Sequence, residues 1–132
     1  MVNWNNAPAY RVAQKLVKVL SSHTPIPFTY NVKNTVELMD DLLKIPQGDL
    51  MKFASFDISS MYSNIPTNEM INILNDVCIK ENMDDITRNE IVKITQTVVN
   101  QNYFLFQDNI YLQNDGLAIG SPTSSILSEV YI

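Results

Sequence analysis

Between Ala9 and Leu20 the apolar residues Ala9, Val12, Ala13, Leu16, Val19 and Leu20 recur at three- and four-residue spacings, and Arg11, Lys15 and Lys18 fall on the other side. That spacing predicts an amphipathic helix. Ser21 to Tyr30 reads as an irregular connection that includes His23, because Pro25 and Pro27 fix φ and remove backbone donors. Asn34 with Glu37 three residues on predicts a capped second helix, whose apolar stripe is Val36, Met39, Leu42 and Leu43. Pro46, Gln47, Gly48 and Asp49 end it in a turn.

The period then changes. Leu50 to Phe56 is short and mostly apolar, which predicts a strand buried on at least one face, ending at Asp57. Pro66 and Thr67 open another helix, with Met70, Ile71, Ile73, Leu74, Val77 and Cys78 inward and Glu69 and Asp76 on its surface. Thr87 with Glu90 reads as a capping box for a further helix carrying Ile91, Ile94, Val98 and Val99. Tyr103 to Phe106 and Ile110 to Leu112 predict a β-hairpin across Gln107-Asp108-Asn109, with Asp-Asn as the turn and the aromatic rings packed rather than stacked on bases. Gly116 to Pro122 is a loop of small residues, and a helix starts at Thr123. The expected fold class is α+β, helices packed on a small antiparallel sheet.

Composition narrows the chemistry. The 132 residues are 45% hydrophobic and 17% charged, enough apolar content for a core and at most one domain. The net charge of −5 argues against a self-sufficient nucleic-acid binder, which needs clustered Lys and Arg. With three glycines in all, no phosphate-cradling glycine motif is present. One cysteine, Cys78, and one histidine, His23, exclude an internal disulfide and a Cys/His zinc set, and Cys78 at helical spacing with Leu74 reads as core. No apolar run spans a membrane and the first residues do not read as a signal peptide, so an intracellular protein, nuclear or cytoplasmic, is expected.

Two segments carry candidate chemistry. In Phe53-Ala54-Ser55-Phe56-Asp57-Ile58-Ser59-Ser60-Met61-Tyr62-Ser63-Asn64-Ile65-Pro66, a carboxylate stands at a strand exit and an aromatic ring follows five residues later across a sharp turn. A carboxylate so placed suits Mg²⁺, a hard cation that takes oxygen ligands, although a turn residue or helix cap is the plainer role for a single Asp. In Gly116-Leu117-Ala118-Ile119-Gly120-Ser121-Pro122-Thr123-Ser124-Ser125, Gly120 permits close backbone approach, Pro122 fixes a helix entry and hydroxyls line the first turn. A helix start of this kind can receive anionic groups, although ordinary capping explains it equally well.

Taken in order, these segments resemble motifs A and B of the reverse transcriptase palm. The wording Ala-Ile-Gly-Ser-Pro, together with Tyr30-Asn31-Val32-Lys33-Asn34-Thr35 and Pro8-Ala9-Tyr10-Arg11-Val12-Ala13, is similar to Penelope-like retroelements. The resemblance runs over nearly the whole chain and implies one partial reverse transcriptase domain over residues 1–132. Residues 1–49 would be fingers-proximal helices and 50–132 the palm segment. The implied reaction is RNA-directed DNA synthesis on an RNA or DNA template-primer, with a deoxynucleoside triphosphate held between two Mg²⁺ ions.

By motif position the resemblance makes Asp57 the first catalytic, metal-binding carboxylate and the Ile58 carbonyl a backbone ligand. Tyr62 would pack under the incoming sugar and exclude a 2′-hydroxyl. Gly120, Ser121 and Pro122 would line the nucleotide and template pocket. Ile119 stands where many relatives have Gln, so that side chain's hydrogen bond is lost.

The departures are equally definite. The family's remaining carboxylates lie in an aromatic-x-Asp-Asp hairpin, motif C, and neither Asp40-Asp41 nor Asp84-Asp85 stands in that context. The Arg-bearing fingers segment that precedes the Pro8 region in relatives would lie before Met1, and Lys33 and Lys52 read as surface cations. The expectation is therefore a retroelement polymerase fragment, inactive by itself and aggregation-prone along an unpaired strand edge. The rival is a non-catalytic relic that binds protein or nucleic acid. A third reading, an aspartate phosphotransferase with Asp57 as nucleophile, lacks the Lys and Thr motifs and the glycine-rich phosphate loop such an enzyme uses.

Overall fold

In the computed structural model, which describes residues 7–23, 32, 34–46, 48 and 52–132, the chain divides into two compact units. One comprises Met1–Ile26 with Ser60–Ile132, the other Pro27–Ser59. Among the described residues the architecture is α+β: six helices and one two-stranded antiparallel sheet.

The larger unit is organised by α1 (Tyr10–His23), α4 (Thr67–Lys80), α5 (Asp85–Val99) and α6 (Ser124–Tyr131). The short α3 (Met61–Asn64) precedes α4. α4 packs on α5 and α6, and α1 packs on the same two helices. The predicted stripes supply the core: Ala13, Leu16 and Leu20 of α1, Met70, Leu74 and Cys78 of α4, Ile91 and Val98 of α5, and Leu127 of α6 are buried. A Leu or Met removed from water in this way contributes about 1.5–3 kcal/mol. Val12 and Val19, counted on the apolar side from spacing, are exposed, so the buried stripe of α1 is narrower than its pattern. α1 also runs three residues past Leu20. His23 is its last residue, not part of a loop, and its Nδ1 lies 3.0 Å from the Val19 carbonyl oxygen.

α5 begins earlier than Thr87 and Glu90 suggested. The cap is Asp84, whose Oδ1 accepts from the amides of Ile86 and Thr87 at 3.1 and 3.0 Å. A carboxylate one turn upstream satisfies the orphan donors of the helix start, and these bonds hold the Asp84 carboxyl below the usual range. Cys78 is buried in the core as expected, and burial pushes its thiol pKa up.

The hairpin pairs β1 (Tyr103–Phe106) with β2 (Asn109–Leu112), in the register Tyr103↔Leu112 to Phe106↔Asn109. The turn residues are Gln107 and Asp108, not Asp108 and Asn109. Both have positive φ, 48° and 60°, as the type I′ connection requires. All eight strand residues are exposed, so the expected packing of helices on this sheet is absent. Phe104 stacks on Tyr111 across the strands instead, ring centroids 5.4 Å apart.

In the smaller unit, α2 (Thr35–Lys44) is capped as expected, the Glu37 amide donating to Asn34 Oδ1 at 3.0 Å. Its stripe is not buried: Val36, Met39 and Leu43 are exposed. The strand predicted over Leu50–Phe56 is not formed in residues 52–56, where Phe53 and Phe56 are 85% and 94% exposed. A strand needs a ladder partner for its backbone groups, and the one ladder among the described residues joins β1 to β2. The connection from Thr24 to Tyr30, Gln47 and Asp49 of the expected turn, and Leu50 and Met51 lie outside the described residues. Among the described residues no helix is long and apolar enough to cross a membrane.

Candidate functional site

The end of the first candidate segment and the start of the second meet through their backbones. Ser60, left-handed at φ 51° and ψ 40°, turns the chain into α3, the sharp bend expected after Asp57. The Tyr62 carbonyl there accepts from the Leu117 amide at 2.7 Å. Gly116 lies beside it at φ +85°, and a Cβ on Gly116 would stand 2.6 Å from the Ser63 carbonyl oxygen. Glycine is needed at this point for both reasons.

A strap from Gln113 to Ala118 is pinned at several further points. The Asn102 side chain, itself buried, donates from Nδ2 to the Gly116 carbonyl at 3.2 Å, and the Gln113 amide donates to the Asn102 carbonyl at 2.8 Å. Asp115 Oδ1 accepts three bonds: from the Thr67 amide at 2.8 Å, the Thr67 hydroxyl at 2.9 Å and the Gly116 amide at 2.9 Å. Pro66, at the N-cap position of α4, has no side-chain acceptor, and Asp115 supplies the cap from 48 residues away. The Thr67 amide foremost, then the Gly116 amide and the Thr67 hydroxyl, hold the Asp115 carboxyl below its usual range.

Beyond the strap, Ala118-Ile119-Gly120-Ser121 forms a β-turn closed by the Ser121 amide on the Ala118 carbonyl at 3.2 Å. Gly120 has φ +93°, as the third residue of a type II turn requires. The Ser124 hydroxyl donates to the same Ala118 carbonyl at 2.6 Å, and Ser121 Oγ lies 3.0 Å from Thr123 Oγ1. Thr123 and Ser124 are buried. Three of the hydroxyls read as lining the start of α6 are therefore engaged with the protein's own atoms, and Ser125 is the exposed one.

The structure thus brings Tyr62, half-buried, together with the loop that carries Gly120, Ser121 and Pro122, through the bond to Leu117. Asp57 and Ile58 belong to the other unit, Pro27–Ser59, and both are exposed. The Asp57 carboxylate and Ile58 carbonyl are oxygen donors of the kind Mg²⁺ takes. Among the described residues, however, no group of three or more His, Cys, Asp or Glu side chains gathers to hold an ion. One carboxylate and one carbonyl are too few for two ions.

Asp115 and Asn102 were not singled out by sequence reasoning, and Thr67 was named only as the opening of a helix. Two signals pointed to the first and third: Asp115-Gly116 is a turn dipeptide, and a helix opened by Pro66 has no acceptor of its own. No protein-family model, curated protein or solved structure matches the chain.

Proposed function

We propose that this chain is the fingers and palm portion of a retroelement reverse transcriptase of the Penelope-like kind, contributing to a magnesium-dependent RNA-directed DNA polymerase. What carries the reading is the ordered pair of segments Ser55–Pro66 and Gly116–Ser124. The bond between Tyr62 and Leu117 supports it, since it puts the end of one beside the start of the other. In this reading Asp57 and the Ile58 carbonyl would be oxygen ligands for Mg²⁺, which would supply charge neutralisation at the transferring phosphate. Tyr62 packs under the nucleotide sugar, and Gly120, Ser121 and Pro122 border the template and incoming deoxynucleotide. Template-primer and deoxynucleoside triphosphate are the partners.

The 132 residues hold no aromatic-x-Asp-Asp motif, so the purified chain extends no primer. Coding sequence downstream should contain such a motif, and the longer product should extend a primer on RNA with Mg²⁺, an activity that Asp57→Ala abolishes. A downstream sequence without it, or a longer product indifferent to Asp57→Ala, would overturn the assignment. Magnesium-dependent extension by the 132-residue chain itself, lost in Asp57→Ala, would overturn the claim that it is inactive alone.

A further inference from the structure

The Ala118–Ser121 turn is tied on one side to the start of α6, where the Ser124 hydroxyl donates to the Ala118 carbonyl at 2.6 Å and Ser121 Oγ lies 3.0 Å from Thr123 Oγ1. On its other side it follows the strap, which is hydrogen-bonded to α4 through Asp115 Oδ1, bound to the Thr67 amide and hydroxyl at 2.8 and 2.9 Å while it also holds the Gly116 amide at 2.9 Å. We propose that Asp115 is a positioning residue: by capping α4 and holding the Gly116 amide at once, it sets where the Gly120–Pro122 turn stands relative to Tyr62. Its meaning for nucleotide selection rests on the polymerase reading above; the mechanical coupling does not.

The geometry distinguishes this role from ordinary capping. Asp84 also accepts two backbone amides, but both belong to its own helix, at Ile86 and Thr87. Asp115 accepts from residues 48 positions back and one position on, so its loss frees both a helix start and the strap. Four other bonds to the rest of the protein remain on the strap: Leu117 to Tyr62, Asn102 to Gly116, Gln113 to Asn102 and Ser124 to Ala118. They would have to carry the register unaided.

Amide hydrogen exchange on the full chain tests the coupling, read at Leu117 and Ser121 and divided by the rate at Leu16, a buried α1 position remote in sequence from both caps. Asp115→Ala should raise both ratios about tenfold, a factor that corresponds to ~1.4 kcal/mol of local opening. Asp115→Asn, which keeps an acceptor oxygen, should raise them less than about threefold. Asp84→Ala, a cap lost elsewhere, should leave both ratios within about twofold of wild type. Equal ratios in Asp115→Ala and Asp84→Ala would overturn the proposal. Should Asp115→Ala not fold, Thr67→Val removes only the hydroxyl bond. A rise of about threefold there supports the coupling, and an unchanged ratio refutes it. No nucleotide enters these ratios, so their outcome stands apart from the primer-extension result.

Discussion

Replacing Gly116 by Ala adds one methyl group at the point where the two candidate segments touch. The added Cβ would meet the Ser63 carbonyl oxygen at 2.6 Å and its carbon at 2.9 Å, and both are backbone atoms that no rotamer change can move aside. The φ of +85° is itself unfavourable for an L-residue, by about 1–2 kcal/mol. Relief of the clash draws the strap away from α3 and stretches the Leu117–Tyr62 bond of 2.7 Å, worth about 0.5–1.5 kcal/mol. Together the loss is about 3 kcal/mol, a large part of the roughly 5–15 kcal/mol that holds a domain folded. Urea unfolding followed by circular dichroism should show the midpoint falling with an unchanged slope. Thermal melting should show a midpoint about 10 °C lower. Gly48→Ala is the control: an added Cβ there meets nothing within 4 Å, and the change should be neutral or stabilising by up to about 1 kcal/mol. A loss below about 1 kcal/mol in Gly116→Ala would refute the close approach of strap and α3.

Asp84 and Asp115 both have folded carboxyl pKa values below the ordinary one, so their stabilisation is complete above the unfolded pKa and disappears as pH falls through the folded value. Melting midpoints should therefore drop below about pH 4, and the double variant Asp84→Asn, Asp115→Asn should show a shallower drop; parallel curves would count against these bonds. Leu74→Ala, at a fully buried position, should cost about 2–5 kcal/mol in urea unfolding. Leu43→Ala, at a position 69% exposed, should stay within about 0.5 kcal/mol, and a comparable loss at both would contradict the observed burial. The hairpin has exposed apolar residues on both faces and, among the described residues, no further strand on either edge, so Ile110→Lys, at a position 75% exposed, should reduce self-association in light scattering while leaving the melting midpoint in place. A lowered midpoint would mean that the residue is packed.

Helices were the legible part. The spacings around Leu16, Leu74 and Val98 predicted α1, α4 and α5 because a 3.6-residue period is a local property that burial then uses. The Asn34 cap was readable for the same reason, since donor and acceptor lie three residues apart. The hairpin was visible in its two runs, but the turn shifted by one residue to Gln107-Asp108, because positive φ at two adjacent positions, not residue preference alone, lets strands of this twist close. Residues 52–56 show the opposite case. Their apolar run looked like a strand, yet a strand exists only where another chain segment accepts its bonds.

For the candidate site, the residue types and their order were written along the chain, and the left-handed need at Gly116 and Gly120 was implicit in the glycines themselves. The bonds that make the loop a structure were not. Asp115 with Thr67, Asn102 with Gly116, and Leu117 with Tyr62 join positions between 14 and 55 residues apart. Nothing in a local pattern says which distant amide a carboxylate or carbonyl will meet. That is settled only when α4, α5 and α6 pack and bring their ends together. Local periodicity therefore carried the helices, while long-range packing assigned the partners of the strap and the exposure of the hairpin.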